Sequence, residues 1–297
     1  MVEIHLFNPR IVLPHESTSI VPLRGYVQCD KETSDKYNVS LLGKATLEGR
    51  QQVTVYQDTH EVSEWMRCGA RDYRAYFVFE IPADLPPTLL PLASRSEIKA
   101  QIEYNVIAST LQHAEKSVKS VKLIRSCAYP RPKVCWGMTK SSAWKYEVEA
   151  PSTITVSGSY SVFVRVQSRS IQLKPESSCF ISCQVIETLS TSRATSQVLL
   201  DTNHFLAAPS QSWTSPVQIA MTLDDIRPSV SSQLFDIRHS LLLKLEFAHP
   251  SSGHIVDKII FSMPLTVLGS KTVCERDKTS PCPSKDSDSD SGVWLSS

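Results

Sequence analysis

Residues 76–108, YFVFEIPADLPPTLLPLASRSEIKAQIEYNVIA, decide the fold of this chain. The second half of the stretch alternates between apolar and polar residues. Its apolar positions are Ile98, Ala100, Ile102, Tyr104, Val106 and Ala108. Successive side chains of a β-strand point to opposite faces. A helix could align Ile98, Ile102 and Val106, but it would place Ala100 and Tyr104 on another side. The pattern therefore predicts a half-buried strand.

The first half of the same stretch predicts a second strand. Phe77, Phe79 and Ile81 share one face, and the run ends at Pro82, which has no N–H to donate to a ladder. A proline-broken connector, residues 83–96, separates the two strands.

Composition limits the classes of function that this chain can have. Of its 297 residues 41% are hydrophobic and 21% charged, which is enough apolar surface for a core. Lys and Arg number 31 against 30 acidic residues, so we expect no nucleic-acid partner, which would need clustered positive charge. Glycine is scarce, and neither G-x-G-x-x-G nor a P-loop occurs. We expect no cofactor.

The ends and the cysteines indicate a cytoplasmic protein. The start, MVEIHLFNPR, has no basic segment followed by an apolar one, and no stretch approaches the roughly 20 apolar residues of a membrane helix. The eight cysteines should then stay reduced. They form no C-x-x-C pair, and Cys179 and Cys183 share a face of a predicted strand, so we expect buried thiols and no metal site.

The rest of the chain consists of short alternating runs separated by polar turns, apart from one predicted helical turn at residues 61–66. Residues 127–142, with two prolines and little alternation, are predicted to connect two domains. The predicted boundaries are 1–128, 129–270 and a disordered tail, 271–297. The tail's SKDSDSDS run is either a solubilising segment or a substrate of an acid-directed serine kinase.

Several motifs of the N-terminal half resemble the N-terminal domain of arrestin-like proteins, especially the fungal alpha-arrestins. The motifs are Ile81-Pro82, Leu85-Pro86, and Ile102-Glu103-Tyr104-Asn105-Val106-Ile107-Ala108. Their order and spacing match the family's connector and the strand that follows it.

The C-terminal half resembles the arrestin C-terminal domain in five landmarks. These are Leu173-Lys174-Pro175, the run from Ile181 to Glu187, Trp213 ahead of Pro216, the run from Ile237 to Leu245, and the run from Met263 to Gly269. The resemblance covers roughly residues 1–270 and implies that His239 helps to order a pair of strands.

The resemblance implies an all-β protein of two tandem immunoglobulin-like β-sandwich domains, the arrestin fold. It implies a non-enzymatic adaptor in membrane-protein trafficking, cytoplasmic and peripheral at the plasma membrane or endosomes. Such a protein binds the cytoplasmic tails of transporters or receptors and links them to ubiquitination and endocytosis. Two alternatives stay open: an arrestin-fold subunit of a retromer-like sorting coat, and a degenerate paralogue without ligase recruitment. An enzyme or a secreted adhesion module ranks third, since no H-E-x-x-H or G-x-S-x-G motif occurs.

One charge feature stands out. Its cations are Lys116, Lys119, Lys122, Arg125, Arg131 and Lys133, with no acidic residue among them. The ordinary interpretation is the solvated face of a strand and a linker. The functional hypothesis is that Arg125, Arg131 and Lys133 meet near the domain junction and contact anionic lipid or a phosphorylated tail.

We predict that this chain does not bind isolated WW domains tightly. Alpha-arrestins that recruit WW-domain ligases present P-P-x-Y, which fills aromatic grooves in a polyproline conformation. This chain has no such motif, since Pro86-Pro87-Thr88-Leu89 lacks the tyrosine, so a ligase would be reached indirectly. Micromolar or tighter binding in a titration with purified WW domains would contradict this prediction.

Overall fold

The structure is a computed structural model that describes residues 2–14, 19–31, 36–90, 99–110, 116–126, 132–156, 158–169, 178–207, 212–223, 226–248 and 253–269. These residues form strands, turns and irregular segments, and the all-β prediction is confirmed. No helix that could cross a membrane occurs in this part of the chain.

The first nine strands form two mainly antiparallel sheets. They are β1 (Val2–Leu6), β2 (Arg10–Pro14), β3 (Ile20–Cys29), β4 (Tyr37–Leu47), β5 (Gln51–Val62), β6 (Met66–Gly69), β7 (Asp72–Pro82), β8 (Ala100–Thr110) and β9 (Lys116–Ser126). One sheet has the order β1-β3-β7-β6 and the other β2-β9-β8-β4-β5, in which β2 and β9 run parallel. The connector after β7 therefore crosses from one sheet to the other.

The remaining strands form a second pair of sheets. They are β10 (Pro132–Met138), β11 (Trp144–Pro151), β12 (Thr153–Thr155), β13 (Ser159–Ser168), β14 (Ser178–Ser190), β15 (Ala194–Ala207), β16 (Val217–Thr222), β17 (Val230–Ser231), β18 (Asp236–Ala248) and β19 (Ile255–Leu268). The orders are β10-β11-β13-β16 and β12-β19-β18-β14-β15, with β17 paired to β18.

Each pair of sheets encloses a hydrophobic core. The first core contains the inward faces of β7 and β8, with Phe79 and Ile102 fully buried. The second is built around β13, β14 and β18, where Trp144 stacks on Phe247 at 4.8 Å between ring centroids. The first core also receives Leu189, Val230, Phe235 and Ile237 from the second half of the chain. The two halves are therefore joined through buried apolar contacts.

The apolar–polar alternation that predicted β8 reflects burial of one face of the strand. The side chains Ala100, Ile102, Tyr104, Val106 and Ala108 are all buried, whereas the residues between them are not. Residues 91–98, which include Ile98, lie outside the described residues.

The two strand cysteines behave as predicted. Cys179 and Cys183 are free, buried on one face of β14, and burial raises the pKa of both thiols to about 12. A thiol with so high a pKa stays protonated and unreactive.

One local prediction was wrong. Residues 61–66 form no helical turn, because β5 continues to Val62 and β6 begins at Met66. The connection of two domains through residues 127–142 stays a prediction, but residues 132–138 within this range form β10, a strand that the sequence did not indicate. As an edge strand that is mostly exposed, β10 has no reason to alternate apolar and polar residues. Residues 127–131, the Leu173-Lys174-Pro175 landmark and the tail lie outside the described residues.

We predict that Ile102→Ala lowers the free energy of unfolding by about 2–5 kcal/mol, through lost burial and a residual cavity. Ile102 is fully buried in the first core. Ile107→Ala on the other face of β8, which is only half-buried, is the matched control and should cost less. Urea denaturation measures both, and an unchanged midpoint for Ile102→Ala would show that this face is not core.

Candidate functional site at the junction of the two halves

Strands β14 and β18 extend across both hydrophobic cores. At one end of the paired strands, Val185 and Leu241 lie in the second core; at the other, Leu189 and Ile237 lie in the first. Between these layers Glu187 of β14 pairs directly with the neighbouring strand. A buried polar layer thus separates two apolar ones.

The partner of Glu187 across the ladder is His239 of β18. The His239 Nε2–H donates to Glu187 Oε2 over 3.2 Å. Its Nδ1 lies 2.9 Å from Ser229 Oγ, which also accepts the N–H of Val267 over 2.9 Å. His239 thus ties two strands together, in the role that the resemblance implied.

Arg227 supplies the positive charge that Glu187 requires. Its Nε donates to both carboxylate oxygens, over 3.1 and 3.2 Å, and its Nη2 donates to Oε1 in an ion pair. Gln197 Nε2 adds a further hydrogen bond to Oε1 over 2.7 Å. The side chains of Arg227 and Glu187 are only 5% and 2% exposed. A buried charge of this kind persists only when it is paired and hydrogen-bonded.

The environment of Glu187 keeps it ionised. Burial by itself raises the pKa of this carboxyl, but the hydrogen bonds and charges of His239 and Arg227 outweigh burial and lower the pKa to about 2. A carboxylate whose oxygens are already occupied and buried is unsuited to act on a substrate. We infer that the Glu187 network, made of Glu187, Arg227, His239, Ser229 and Gln197, holds the segments of the junction in place.

A second contact fixes the connector after β7. The Arg125 guanidinium of β9 donates from Nη2 to the carbonyl oxygens of Ala83 and Leu85, over 3.1 and 2.8 Å. Burial lowers the pKa of Arg125, with Asp84 and Tyr104 acting in the opposite direction. The Tyr104 hydroxyl donates to the carbonyl of Pro86 over 2.8 Å. The connector is thereby held against β8 and β9.

A cleft of about 300 Å³ opens beside this connector. Its walls come from both halves of the chain and include Asp84, Arg125, Ser229, Arg238 and Thr266. The cleft is the place where the proline connector and the Glu187 network meet the surface.

The three residues predicted to contact an anionic ligand have different surroundings. Arg125 lines the cleft but is half-buried and engaged with backbone carbonyls. Lys133 is exposed on β10, opposite Ala150. Arg131 lies outside the described residues, so their predicted meeting stays a prediction.

Sequence reasoning missed Glu187, Arg227 and Ser229 as a network. One signal was present: Glu187 occupies an inward position in the alternating run of β14, where a charged side chain needs a partner. The partner could not be found from spacing, because Arg227 comes from the segment before β17 and meets Glu187 only through the fold. Across the described ranges, no group of three or more His, Cys, Asp or Glu could hold a metal ion.

We predict that the Glu187 network makes the free energy of unfolding depend on pH in the acidic range. The pKa of Glu187 is about 2 in the folded chain against 4.5 for an unperturbed glutamate. A lowered folded-state pKa contributes stability that is complete above about pH 4.5 and is lost as the pH falls through about 2. At about 1.4 kcal/mol per pH unit, the contribution is on the order of 3 kcal/mol.

Glu187→Gln isolates this contribution from the other carboxyl groups. The variant should be less stable by about 3–5 kcal/mol at neutral pH, because Arg227 stays buried without its anion. Urea denaturation between pH 2 and 7 should show the difference from wild type shrinking toward low pH. A difference that is independent of pH would contradict the assignment.

No protein-family profile matches the chain, and no curated protein matches it either.

Proposed function

We propose that this protein is a non-enzymatic, arrestin-like adaptor that binds the cytoplasmic tails of membrane transporters or receptors and links them to ubiquitination and endocytosis. The observation that carries the proposal is the arrangement of four sheets as two successive pairs along the chain. Two sequence landmarks of the resemblance lie at the ends of strands in this arrangement. Ile81-Pro82 ends β7, and the run from Met263 to Leu268 ends β19 beside β12.

The Glu187 network supports the same proposal. It occupies the layer between the cores with a carboxylate that is closed to solvent. A junction of this type suits a protein whose halves present surfaces in one fixed arrangement. Fold analogy alone does not give a function, so the partner must be argued from the surface.

The surface offers an anionic partner a set of free cations. Lys116 and Lys119 of β9 and Lys133 of β10 are exposed, and none of them takes part in an ion pair with another described residue. Each such cation near an anionic membrane is worth about 1 kcal/mol. Phosphorylated tails offer the same charge. In this proposal Lys133 and Arg131 contact the ligand, whereas Arg125 lines the cleft at the junction.

Proximity labelling in the native cell tests the adaptor function. We expect enrichment of transporters or receptors together with a ubiquitin ligase. Enrichment of coat subunits instead would favour the retromer-like alternative. Labelling that enriches neither group, compared with the labelling enzyme alone, would overturn both.

Liposome co-sedimentation tests the anionic contact. We expect the Arg131→Glu, Lys133→Glu double variant to bind phosphoinositide liposomes several-fold more weakly than wild type. Added salt should also weaken binding, because the Debye length falls from about 10 Å at 0.1 M to about 3 Å at 1 M. Arg125 is left unchanged, since its guanidinium holds the connector.

A Lys31→Glu, Arg50→Glu double variant is the matched control, because both residues are exposed and lie in other parts of the first half. Equal binding by wild type and the Arg131, Lys133 variant would leave these two residues as ordinary solvated surface.

A further inference from the structure

Strand β10 has one hydrogen-bonding edge without a neighbour. It pairs with β11 along its whole length, from Pro132 opposite Pro151 to Met138 opposite Lys145, and with no other described strand. The N–H and C=O groups of the other edge are therefore available to an added strand. This edge belongs to neither the Glu187 network nor the cleft at the junction.

The outer face of β10 is apolar and exposed. Val134, Trp136 and Met138 alternate along it, with Trp136 78% and Met138 52% exposed. Their neighbours on β11 are charged, for instance Glu147 opposite Trp136. Soluble domains rarely leave a tryptophan so exposed on an open edge strand, and such a side chain is a typical anchor for a partner.

A groove of about 670 Å³ lies between the end of β10 and the beginning of β19. Met138 and Lys140 line it, and Ile255, Val256 and Ile260 of β19 are exposed beside it. A strand added to β10 would place every second side chain on the face of Trp136, and the side chains between them on the opposite face.

Charges of both signs lie around the edge, and cations outnumber acids. The acids on β11 are Glu147, which pairs with Arg165, and the exposed Glu149 opposite Val134. Within the described ranges, Lys140, Lys145 and Arg169 take part in no ion pair with an acidic residue. The acid in the groove, Asp257, is already engaged: it accepts a hydrogen bond from Ser141, and hydrogen bonds of this kind hold its pKa low against the effect of burial. The uncompensated cations favour an acidic partner.

We propose that the open edge of β10 binds an extended, acidic and apolar peptide segment of a partner protein as an added strand. Backbone hydrogen bonds along the edge provide affinity, and Trp136 selects apolar side chains at alternate positions. Lys140, Lys145 and Arg169 select carboxylates between them. The edge strand β5, in contrast, carries the acidic side chains Asp58 and Glu61.

The test is a fluorescence-polarisation titration of the full chain with the labelled peptide D-V-D-L-D-V-D. We expect saturable binding in the micromolar range, as is typical of small interfaces. The lysine counterpart, K-V-K-L-K-V-K, should bind at least about tenfold more weakly, because cations surround the edge. A version of the acidic peptide with alternate backbone nitrogens methylated should fail to bind, since it cannot complete the ladder.

Two variants assign binding to this edge. Trp136→Ser should weaken binding of the acidic peptide about tenfold or more, whereas Phe180→Ser, at a similarly apolar position exposed on β14, should not. Lys140→Glu with Lys145→Glu should reverse the preference toward the lysine peptide, whereas Lys116→Glu with Lys119→Glu on β9 should leave it unchanged.

Three outcomes would overturn the proposal. The first is no binding, or binding that the methylated peptide reproduces. The second is a dimer of the full chain in light scattering that Trp136→Ser dissolves, which would assign the edge to a second copy. The third is peptide binding that appears only after Asp286, Asp288 and Asp290 are changed to Lys, which would assign the edge to this chain's own C-terminal segment.

Discussion

The ionised carboxylate of Glu187 imposes the strictest constraint on this structure. A charge removed from water between two apolar layers costs several kcal/mol unless its oxygens are fully paired. The partners that satisfy it come from different segments: His239 from β18, Arg227 from the segment before β17, and Gln197 from β15. Satisfying one side chain therefore fixes the relative positions of three parts of the second half. Because β14 and β18 also reach the first core through Leu189 and Ile237, the same layer fixes the contact between the halves.

The connector after β7 also needs partners for its polar groups, in this case for backbone carbonyls. It crosses from one sheet to the other, and its prolines remove N–H donors, so its carbonyl groups need partners from elsewhere. Arg125 and Tyr104 provide them by donating to Ala83, Leu85 and Pro86. Arg125, which belongs to a basic stretch of the sequence, thus has a structural role. The basic residues of β9 divide between two environments, since Lys116 and Lys119 remain exposed.

The proposed anionic contact and the proposed strand-addition site both include β10. The first uses Lys133 of β10 together with Arg131, and the second the open edge of β10 with Trp136 and its surrounding lysines. The strand-addition site relies on exposed backbone and side-chain groups, whereas the buried Glu187 and Arg227 are paired with each other. In both proposals, edges and faces recognise partners while the interior holds them in register.

The sequence by itself determined the strand content and the faces of individual strands. The period of two in β8 and the shared face of Cys179 and Cys183 follow from local geometry, because burial of one face selects apolar residues at every second position. Where that selection is weak, sequence reasoning failed: β10 is an exposed edge, and the region between β5 and β6 lacks a regular pattern.

Only the tertiary structure decided which residues meet. Glu187 and Arg227 are far apart in sequence, and their ion pair depends on strand register and on the path of an irregular segment, neither of which leaves a periodic trace. Likewise, Arg125 lies among cations in the sequence. Only the folded position of the connector shows that its guanidinium donates hydrogen bonds to backbone carbonyls. Pairing between distant segments is a property of the folded chain, because the local sequence around each residue is compatible with many different pairing partners.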